Sequence, residues 1–483
     1  MCKILLQTCL LASHGNLPYY MLPVKTNRAS GEKMKQNKRK CRWALLAGAL
    51  GAAAVCYAAW GYDWHDVFDR ETPFIINDCV VMDDGASVAV GADDISFSDE
   101  LPPQQHILIS YVAPDSESAV FDTIDMVDDG ISEVDEGYSE ARKVAVTTEG
   151  DVYVAGYCVT NRYPGEDGLV TCAFIGKLNT TNYSEFESEY FVLVSEANIP
   201  DLGRAVKGGV AINIVGSDVY FAATVGTGTQ NIHVVKLDEN LEESSAYWPK
   251  TYTGQRVVDL AIGTFGEAYV VSASKVICYD ETNSTVPAWD TTISVGSDQP
   301  IPVGIEYAEN AGEVVVGGHT EPLSLTGESY LFAVRYDTSG SEVLEKVDSN
   351  ACEFAVGIHL EPNAEGAVVT AQRNDDFYAV RFNPTTATIF GDETVALTNG
   401  VPGASMYDGN GNIFIWGADF VSSSRRFRLA RIPVAMNTYE LFSNQGSSIN
   451  SHQAQCIATN GTEIFAYGMD GIESMQIEQY DGP

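Results

Sequence analysis

The chain has little positive charge. Its 483 residues include 28 lysines and arginines against 66 aspartates and glutamates, for a net charge of −38. Nine of the basic residues precede residue 61, so the remainder carries 19 basic and 65 acidic residues and a net charge of −46. Because like charges repel, we expect no nucleic-acid partner and no binding of this part to anionic membranes. The partner classes left are a protein, a glycan or a second copy of the chain.

The sequence also lacks the short motifs of common active sites. It contains no His-Glu-x-x-His, no Cys-x-x-Cys, no Gly-x-Ser-x-Gly and no phosphate-binding Gly-x-x-x-x-Gly-Lys. His319, His359 and His452 fall at the end of a predicted strand or within predicted inner strands. None of them has a catalytic or metal-binding partner at a recognisable spacing. The sequence therefore predicts no catalytic residue, no metal ligand and no cofactor, with calcium as an alternative.

The N-terminal segment has a different composition from the rest. A basic stretch begins at Met34, and residues 43–60 form an uncharged run rich in alanine, glycine and leucine. This order predicts that residues 34–60 are a signal peptide or a membrane anchor. Residues 1–33 are then an unstructured extension or a wrongly assigned start. In either case residues 61–483 are predicted to lie outside the cytoplasm, and only the N-terminal segment contacts a membrane.

After residue 75 the chain repeats one two-strand pattern. Each unit begins with a turn residue and a buried run, as in Gly150-Asp-Val-Tyr-Val-Ala-Gly and Gly312-Glu-Val-Val-Val-Gly-Gly. A glycine at this point indicates a tight turn that needs positive φ. The eight copies begin at Gly85, Gly150, Ser217, Gly266, Gly312, Gly366, Gly411 and Gly461. In five copies the second strand carries a cation, namely Lys177, Lys236, Arg335, Arg381 and Arg431.

Two further strand candidates lie between successive copies of this pattern. Four antiparallel strands per unit, repeated about every 45 to 65 residues, are typical of a β-propeller. The sequence therefore predicts an all-β fold with a single eight-bladed β-propeller over residues 61–483, with seven blades as the alternative. The last unit lacks a fourth strand, and residues 62–70 resemble the outer strands of other units. We expect residues 62–70 to complete the last blade.

The units resemble the bacterial propeller repeats of the SBBP type. The resemblance rests on segments such as Gly150-Asp-Val-Tyr-Val-Ala-Gly-Tyr followed by Ala173-Phe-Ile-Gly-Lys-Leu-Asn, and it covers nearly all of residues 75–483. It implies a secreted or surface-exposed propeller. Because the repeat describes a blade and not a site, it implies no activity.

The cysteines predict one disulfide. Outside the cytoplasm thiols tend to pair, and Cys158 and Cys172 flank the connection between two predicted strands of one hairpin. We therefore expect a Cys158–Cys172 bond. Cys79 and Cys456 fall in inner strands that the ring would make neighbours, but buried cysteines also serve as small apolar residues.

Loop lengths and acidic residues predict a binding surface. The connections 92–104, 157–171 and 319–329 are long, whereas the fourth unit has almost none. An acidic segment joins the first two units and forms a predicted acidic rim with these loops: Asp122, Asp125, Asp128, Asp129, Glu133, Asp135 and Glu136. Insertions on one face of a repeat array usually mark its binding surface.

We therefore expect an exported, non-enzymatic propeller that acts as a binding, scaffold or surface-assembly module through this face. One alternative is a hydrolase or lyase whose site at the channel mouth is assembled from several blades. A converging set of His, Asp and Arg side chains would favour it. A second alternative is a calcium-dependent adhesion module, because carboxylates at this density are ligands that calcium prefers.

Overall fold

A computed structural model describes residues 61–69, 74–93, 106–114, 116, 118–127, 138–164, 169–195, 209–226, 228–281, 286–322, 327–361, 366–383, 386, 388–421, 424–443, 452–470 and 474–481. The chain divides into two units, Met1–Ala59 and Trp60–Pro483, and every described residue belongs to the second. The predicted signal peptide or anchor at 34–60 lies outside the described residues. Within them, no helix is long and apolar enough to cross a membrane.

The described residues form 32 strands and no helix. The strands are β1 (Gly61–Asp69), β2 (Phe74–Val81), β3 (Ser87–Asp93), β4 (His106–Val112), β5 (Ala119–Ile124), β6 (Ser139–Val146), β7 (Val152–Thr160), β8 (Val170–Leu178), β9 (Phe186–Ser195), β10 (Val210–Val215), β11 (Asp218–Val225), β12 (Asn231–Leu237), β13 (Lys250–Thr253), β14 (Val257–Ile262), β15 (Ala268–Ser272), β16 (Lys275–Tyr279), β17 (Trp289–Thr292), β18 (Gln299–Ala308), β19 (Glu313–Glu321), β20 (Ser329–Tyr336), β21 (Glu342–Cys352), β22 (Phe354–Leu360), β23 (Ala367–Arg373), β24 (Asp376–Phe382), β25 (Ile389–Val395), β26 (Val401–Tyr407), β27 (Asn412–Val421), β28 (Ser424–Pro433), β29 (Glu440–Ser443), β30 (His452–Thr459), β31 (Glu463–Asp470) and β32 (Ser474–Asp481).

These strands form eight four-stranded antiparallel sheets. Seven sheets use consecutive strands, from β2–β5 to β26–β29, and the eighth has the order β1-β32-β31-β30. The first strand of each sheet contacts the first strand of the next, and β30 contacts β2, so the sheets close into a ring. The prediction of an all-β, eight-bladed propeller is confirmed, and the seven-bladed alternative is excluded. In the eighth blade β1 is the outermost strand.

The hydrophobic core lies between neighbouring blades. The second and third strands of most blades are buried along nearly their whole length, as the apolar runs of the repeat predict. Large aromatic residues on the second strand also donate hydrogen bonds to the next blade. Tyr157 Oη lies 2.9 Å from the Thr224 carbonyl, and Trp416 Nε1 lies 2.9 Å from the Tyr467 carbonyl. Each blade thus contributes packing and polar contacts to its neighbour.

The turn between the first and second strands explains the repeated glycine. Gly150 has a φ of 92° and Gly312 a φ of 64°, a backbone region that residues with a Cβ adopt at a cost. The prediction of positive φ at Gly312 is confirmed. These turns lie at one end of the ring, which we call the turn face and define by residues 82–86, 147–151, 263–267, 309–312, 408–411 and 460–462.

Candidate functional site

The repeated cations of the third strands belong to the framework of the blades. Lys177 Nζ lies 2.9 Å from Asp151, and Lys236 Nζ lies 2.9 Å from Asp218, in each case an acid at or beside the start of the second strand. Arg335 pairs with Glu313 in the same way. In two other blades the cation has a different partner: Arg381 pairs with Glu361, and Arg431 Nε donates to the Asn412 side chain. This cross-strand pairing at the turn face accounts for the repeat position without a ligand.

The opposite end of the ring is less regular. We call it the connection face and define it by described residues of the second-to-third-strand connections (161–164, 169, 273–274, 322, 327–328 and 374–375) and of the connections to the next blade (125–127, 138 and 396–400). Two of the predicted long loops are partly strand. Strand β7 continues to Thr160, β8 begins at Val170, and β19 continues to Glu321. Most of the predicted loop 92–104 lies outside the described residues.

Only part of the predicted acidic rim falls within the described residues, namely Asp122 and Asp125. The Asp122 carboxylate accepts from the Thr123 N–H, and the Asp125 carboxylate accepts from the Val127 N–H. Arg162 Nη2 donates to the Asp125 carbonyl at 3.1 Å, so the connection of blade two contacts the beginning of the acidic segment. The positions Asp128, Asp129, Glu133, Asp135 and Glu136 lie outside the described residues, and calcium binding by this segment stays a prediction.

The predicted disulfide is absent from the structure. Cys158 and Cys172 are directly paired in the β7–β8 register, yet both are free thiols. The prediction placed them at the two ends of a loop, whereas the strands extend two residues further and enclose both cysteines within the hairpin. There they pack in the hydrophobic cluster between blades one and two. Burial raises the pKa of the Cys172 thiol to about 12, as expected of a small apolar residue in the core.

Among the described side chains, His319 and His359 do not form a converging catalytic set. His319 Nδ1 accepts from the Ala355 N–H at 3.2 Å, and burial lowers the pKa of its imidazole. His359 Nε2 lies 2.8 Å from Ser405 Oγ, a nucleophile–base distance, and the Ser405 hydroxyl also contacts Thr370 Oγ1 at 2.6 Å. Burial lowers the pKa of His359 to about 4, which makes it a poor base at neutral pH. The side chain of His452 lies outside the described residues.

A group of charged residues lines the central channel between the inner strands. Lys143 Nζ on β6 lies 3.7 Å from the Asp78 carboxylate on β2, and 45 % of the Lys143 side chain is exposed. Asp78 raises the pKa of Lys143, and Asp259 on β14 adds to this effect. Each aspartate also accepts an N–H from the inner strand of the next blade, Asp78 from Val144 at 3.2 Å and Asp259 from Ile305 at 3.1 Å. These contacts link neighbouring inner strands at the channel wall.

Glu306 on β18 is the other carboxyl of this group. Burial, with a smaller contribution from Asp259, raises its pKa to about 8, so the carboxyl is largely protonated at neutral pH. Within the described parts of the chain, no group of three or more His, Cys, Asp or Glu residues is arranged to hold a metal ion. The channel group therefore offers one ammonium and three carboxyls, but no metal centre.

Sequence reasoning missed this channel group. Successive members of the group are 47 to 116 positions apart in the chain, so no motif connects them. A signal was nevertheless present, because a charged residue inside an inner strand is unusual where strands are otherwise apolar. Asp78, Lys143 and Asp259 each follow a β-bulge that locally shifts the register of the inner strand.

A pocket of about 580 Å³ opens at the connection face beside blades six, seven and eight. Its wall includes Asp375, Asn399, Val401, Asp419 and Phe420. Asp419 is 4 % exposed; its Oδ2 accepts from Arg428 Nε at 2.8 Å, and its Oδ1 is buried without a hydrogen-bond partner among the described residues. No motif joins these residues, which come from two connections and two strands.

The fold places the chain in the class of eight-bladed β-propellers. No protein-family model matches the chain, and no curated protein matches its sequence. Similar solved structures include a hydrazine synthase of Kuenenia stuttgartiensis, with a TM-score of 0.38 at 9 % identity over 54 % of this chain and 76 % of that one. A Dos1 propeller has a TM-score of 0.38 at 9 % identity over 87 % and 95 % of the two chains. A mitotic checkpoint complex has a TM-score of 0.37 at 9 % identity over 67 % and 85 %. At these scores the likenesses carry no functional inference.

Proposed function

We propose that this propeller is an extracytoplasmic binding module that holds a protein partner through its connection face. The propeller fold is consistent with a binding or scaffold role. The observation that carries the proposal is the contrast between the two ends of the ring. Repeated ion pairs occupy the turn face, whereas the connection face holds a pocket of about 580 Å³ whose lining includes two carboxylates, Asp375 and Asp419, and the exposed Phe420.

A catalytic function is not favoured. Among the described residues the closest nucleophile–base pair is Ser405 with His359, and that imidazole is a weak base. Within the described part of the chain, no arginine or carboxylate contacts this pair in a way that would orient it. A propeller that only binds a partner does not need a nucleophile, a base and a group that orients them.

Cross-linking mass spectrometry tests the proposal. The full chain is expressed in intact cells and treated with a carboxylate-reactive dihydrazide linker, which suits a chain with few lysines. We expect intermolecular links from connection-face carboxylates such as Asp125, Glu321 and Glu328, all of which are exposed. Links from the exposed turn-face residues Asp83 and Glu149 should remain intramolecular.

Two charge-matched variants sharpen the experiment. Glu321→Lys with Glu328→Lys changes the connection face, and Asp83→Lys with Glu149→Lys makes the same charge change at the turn face. We count only the intermolecular links from Asp125, whose carboxylate both variants retain. We expect the first pair to reduce these links by roughly tenfold, because each reversed rim charge weakens association electrostatically, and the second pair to leave them unchanged. Intramolecular links alone, or equal losses in both variants, would remove the proposal.

A further inference from the structure

The inner strands of blades one and four are tied to the next blade at the same repeated position. Each of these strands contains a β-bulge, and the first residue after the bulge is Asp78 in β2 and Asp259 in β14. Their carboxylates accept the N–H of Val144 at 3.2 Å and of Ile305 at 3.1 Å. Both N–H groups belong to the second residue after the bulge of the next inner strand. The first and second positions after the bulge are therefore the points at which inner strands of neighbouring blades meet.

Two cysteines hold these positions where the ring closes. Cys456 is the first residue after the bulge of β30 in blade eight, and Cys79 is the second residue after the bulge of β2 in blade one. The strands β30 and β2 are in contact across the closing junction. The Cys456 thiol donates to the Cys79 sulfur, so the two side chains touch. A pair of thiols thus joins the first blade to the last at the position where other junctions use a carboxylate and an N–H.

The surroundings of the two thiols are apolar. Cys79 is 6 % exposed and Cys456 is 4 % exposed, and both belong to the hydrophobic cluster between blades one and eight. Burial raises the pKa of both thiols, so the reactive thiolate is scarce in the closed ring. Exchange with an oxidant is therefore slow once the ring is closed and fastest while this junction is open during folding. The same burial protects a bond between the two sulfurs from reductants.

We propose that Cys79 and Cys456 are a redox modification site, at which a small disulfide such as oxidised glutathione forms a covalent bond between the first and last blades. One cysteine thiolate attacks the small disulfide and releases the first small thiol. The second cysteine attacks the resulting mixed disulfide and releases the second. Two protein thiols and one small disulfide thus give one protein disulfide and two small thiols. Two electrons pass from the cysteine sulfurs to the oxidant, and the two protons end on the released thiols.

The bond changes how the ring is held closed. In the reduced ring this junction depends on packing and on hydrogen bonds such as that between Ser87 Oγ and Tyr467 Oη, 2.7 Å apart. A bond between positions 79 and 456 encloses most of the propeller, and the stabilisation by a disulfide grows with the length of chain that it encloses. The oxidised ring therefore resists opening at the closing junction. This inference goes beyond the proposed function, because it involves neither the connection face nor its partner.

Peptide mass spectrometry locates the bond. One sample of the full chain is reduced and unfolded in urea and then refolded with oxidised glutathione, and a second is kept folded, reduced and then given the same oxidant. The remaining thiols are blocked with iodoacetamide in urea before digestion. We expect a peptide pair that joins Cys79 to Cys456 in both samples, formed roughly tenfold more slowly in the folded one, because its thiols are exposed only when the junction opens.

Two outcomes overturn the proposal. One is that iodoacetamide blocks Cys79 and Cys456 in both samples, and the other is that each carries glutathione without a bond between them. Because the folded sample requires no refolding step, a chain that refolds poorly still gives a result.

Thermal unfolding measures the effect on the ring. We expect oxidation to raise the unfolding midpoint of the wild type by roughly 5 to 10 °C. Cys456→Ala should abolish this rise, whereas the matched control Cys158→Ala, which removes another buried cysteine from the core, should retain it. Each variant is compared with its own reduced form, so the packing cost of the substitution cancels. An equal rise in the wild type and in Cys456→Ala would assign the effect to other cysteines and contradict the proposal.

Discussion

The two ends of the ring differ in how closely they follow the repeat. At the turn face, positive φ falls mainly on glycines such as Gly150 and Gly312, and acid–cation pairs tie the second strand to the third. At the connection face, blade four joins its strands with two residues, whereas blade two uses nine. Positive φ in the connections at this end falls on Asn374, Asp375 and Asn399 as well as on glycines such as Gly226 and Gly254. The repeated end provides stability. The irregular end provides the chemical variety that a specific binding surface needs.

The largest expected effect is a loss of stability when an ion pair at the turn face is removed. Arg335→Ala removes the partner of Glu313, whose side chain is only 17 % exposed. A largely buried carboxylate left without its cation should lower the free energy of unfolding by about 3 kcal/mol. Urea denaturation followed by circular dichroism measures it. The exposed connection-face variant Asp375→Asn is the control and should change stability by no more than about 0.5 kcal/mol. Similar shifts in the two variants would contradict the assignment of stability to the turn face.

An effect of intermediate size is expected in the channel that joins the two faces, where the stability depends on pH through Glu306. The pKa of Glu306 is raised from 4.5 to about 8, so the folded state retains a proton that the unfolded state releases in this range. Stability contributed by the protonated carboxyl is therefore lost as pH rises from about 4.5 to about 8. Relative to its offset from the wild type at pH 5, we expect Glu306→Gln to gain roughly 3 kcal/mol of stability at pH 8.

Urea midpoints at the two pH values measure this difference. Glu309→Gln, an exposed change at the turn of the same blade, should give the same offset at both. A stability gain for Glu306→Gln that does not grow with pH would show that the carboxyl titrates normally.

The smallest expected effects are the stability changes caused by substitutions at positive-φ residues, one at each face. Gly150→Ala places a Cβ at a φ of 92°, and no atom lies within 4 Å of that Cβ, so any cost comes from the backbone alone. We expect a loss of about 1 kcal/mol. Asn399→Gly should change stability by less than about 0.5 kcal/mol, because relief at a φ of 51° is offset by greater freedom of the unfolded chain. Thermal unfolding of both variants checks the pair, and a neutral Gly150→Ala would be inconsistent with strain at the turn.

Much of the fold was predictable because each blade repeats local signals. A turn glycine, a buried run and a third-strand cation recur at matching positions, and together they specify hairpins, their number and an all-β class. The partners of those cations were not predicted, although Asp151 and Glu313 directly follow turn glycines. The predicted disulfide is not formed in the structure, where Cys158 and Cys172 are free thiols that serve as small apolar residues of the core between blades one and two.

The candidate site was less predictable because it depends on which blades are neighbours. Asp375 and Asn399 belong to different connections and Asp419 to strand β27, and only the ring brings them to one pocket. The same holds for Lys143 and Asp259 in the channel, which come from blades two and four. Periodicity shows which residues face a neighbouring sheet, but not which polar residues meet across it.

The pairing of β1 with β32 has a consequence for biosynthesis. These two strands are the first and the last of the described strands, and they lie side by side in blade eight. During translation each of the other seven sheets can assemble from consecutive strands as they leave the ribosome. Strand β1 has to wait for β32, which is made after all the others. The last blade therefore shows whether the ring is complete. A nascent chain that stops before β32 leaves β31 with an open edge and β1 without a partner strand, and proteases and chaperones can recognise both.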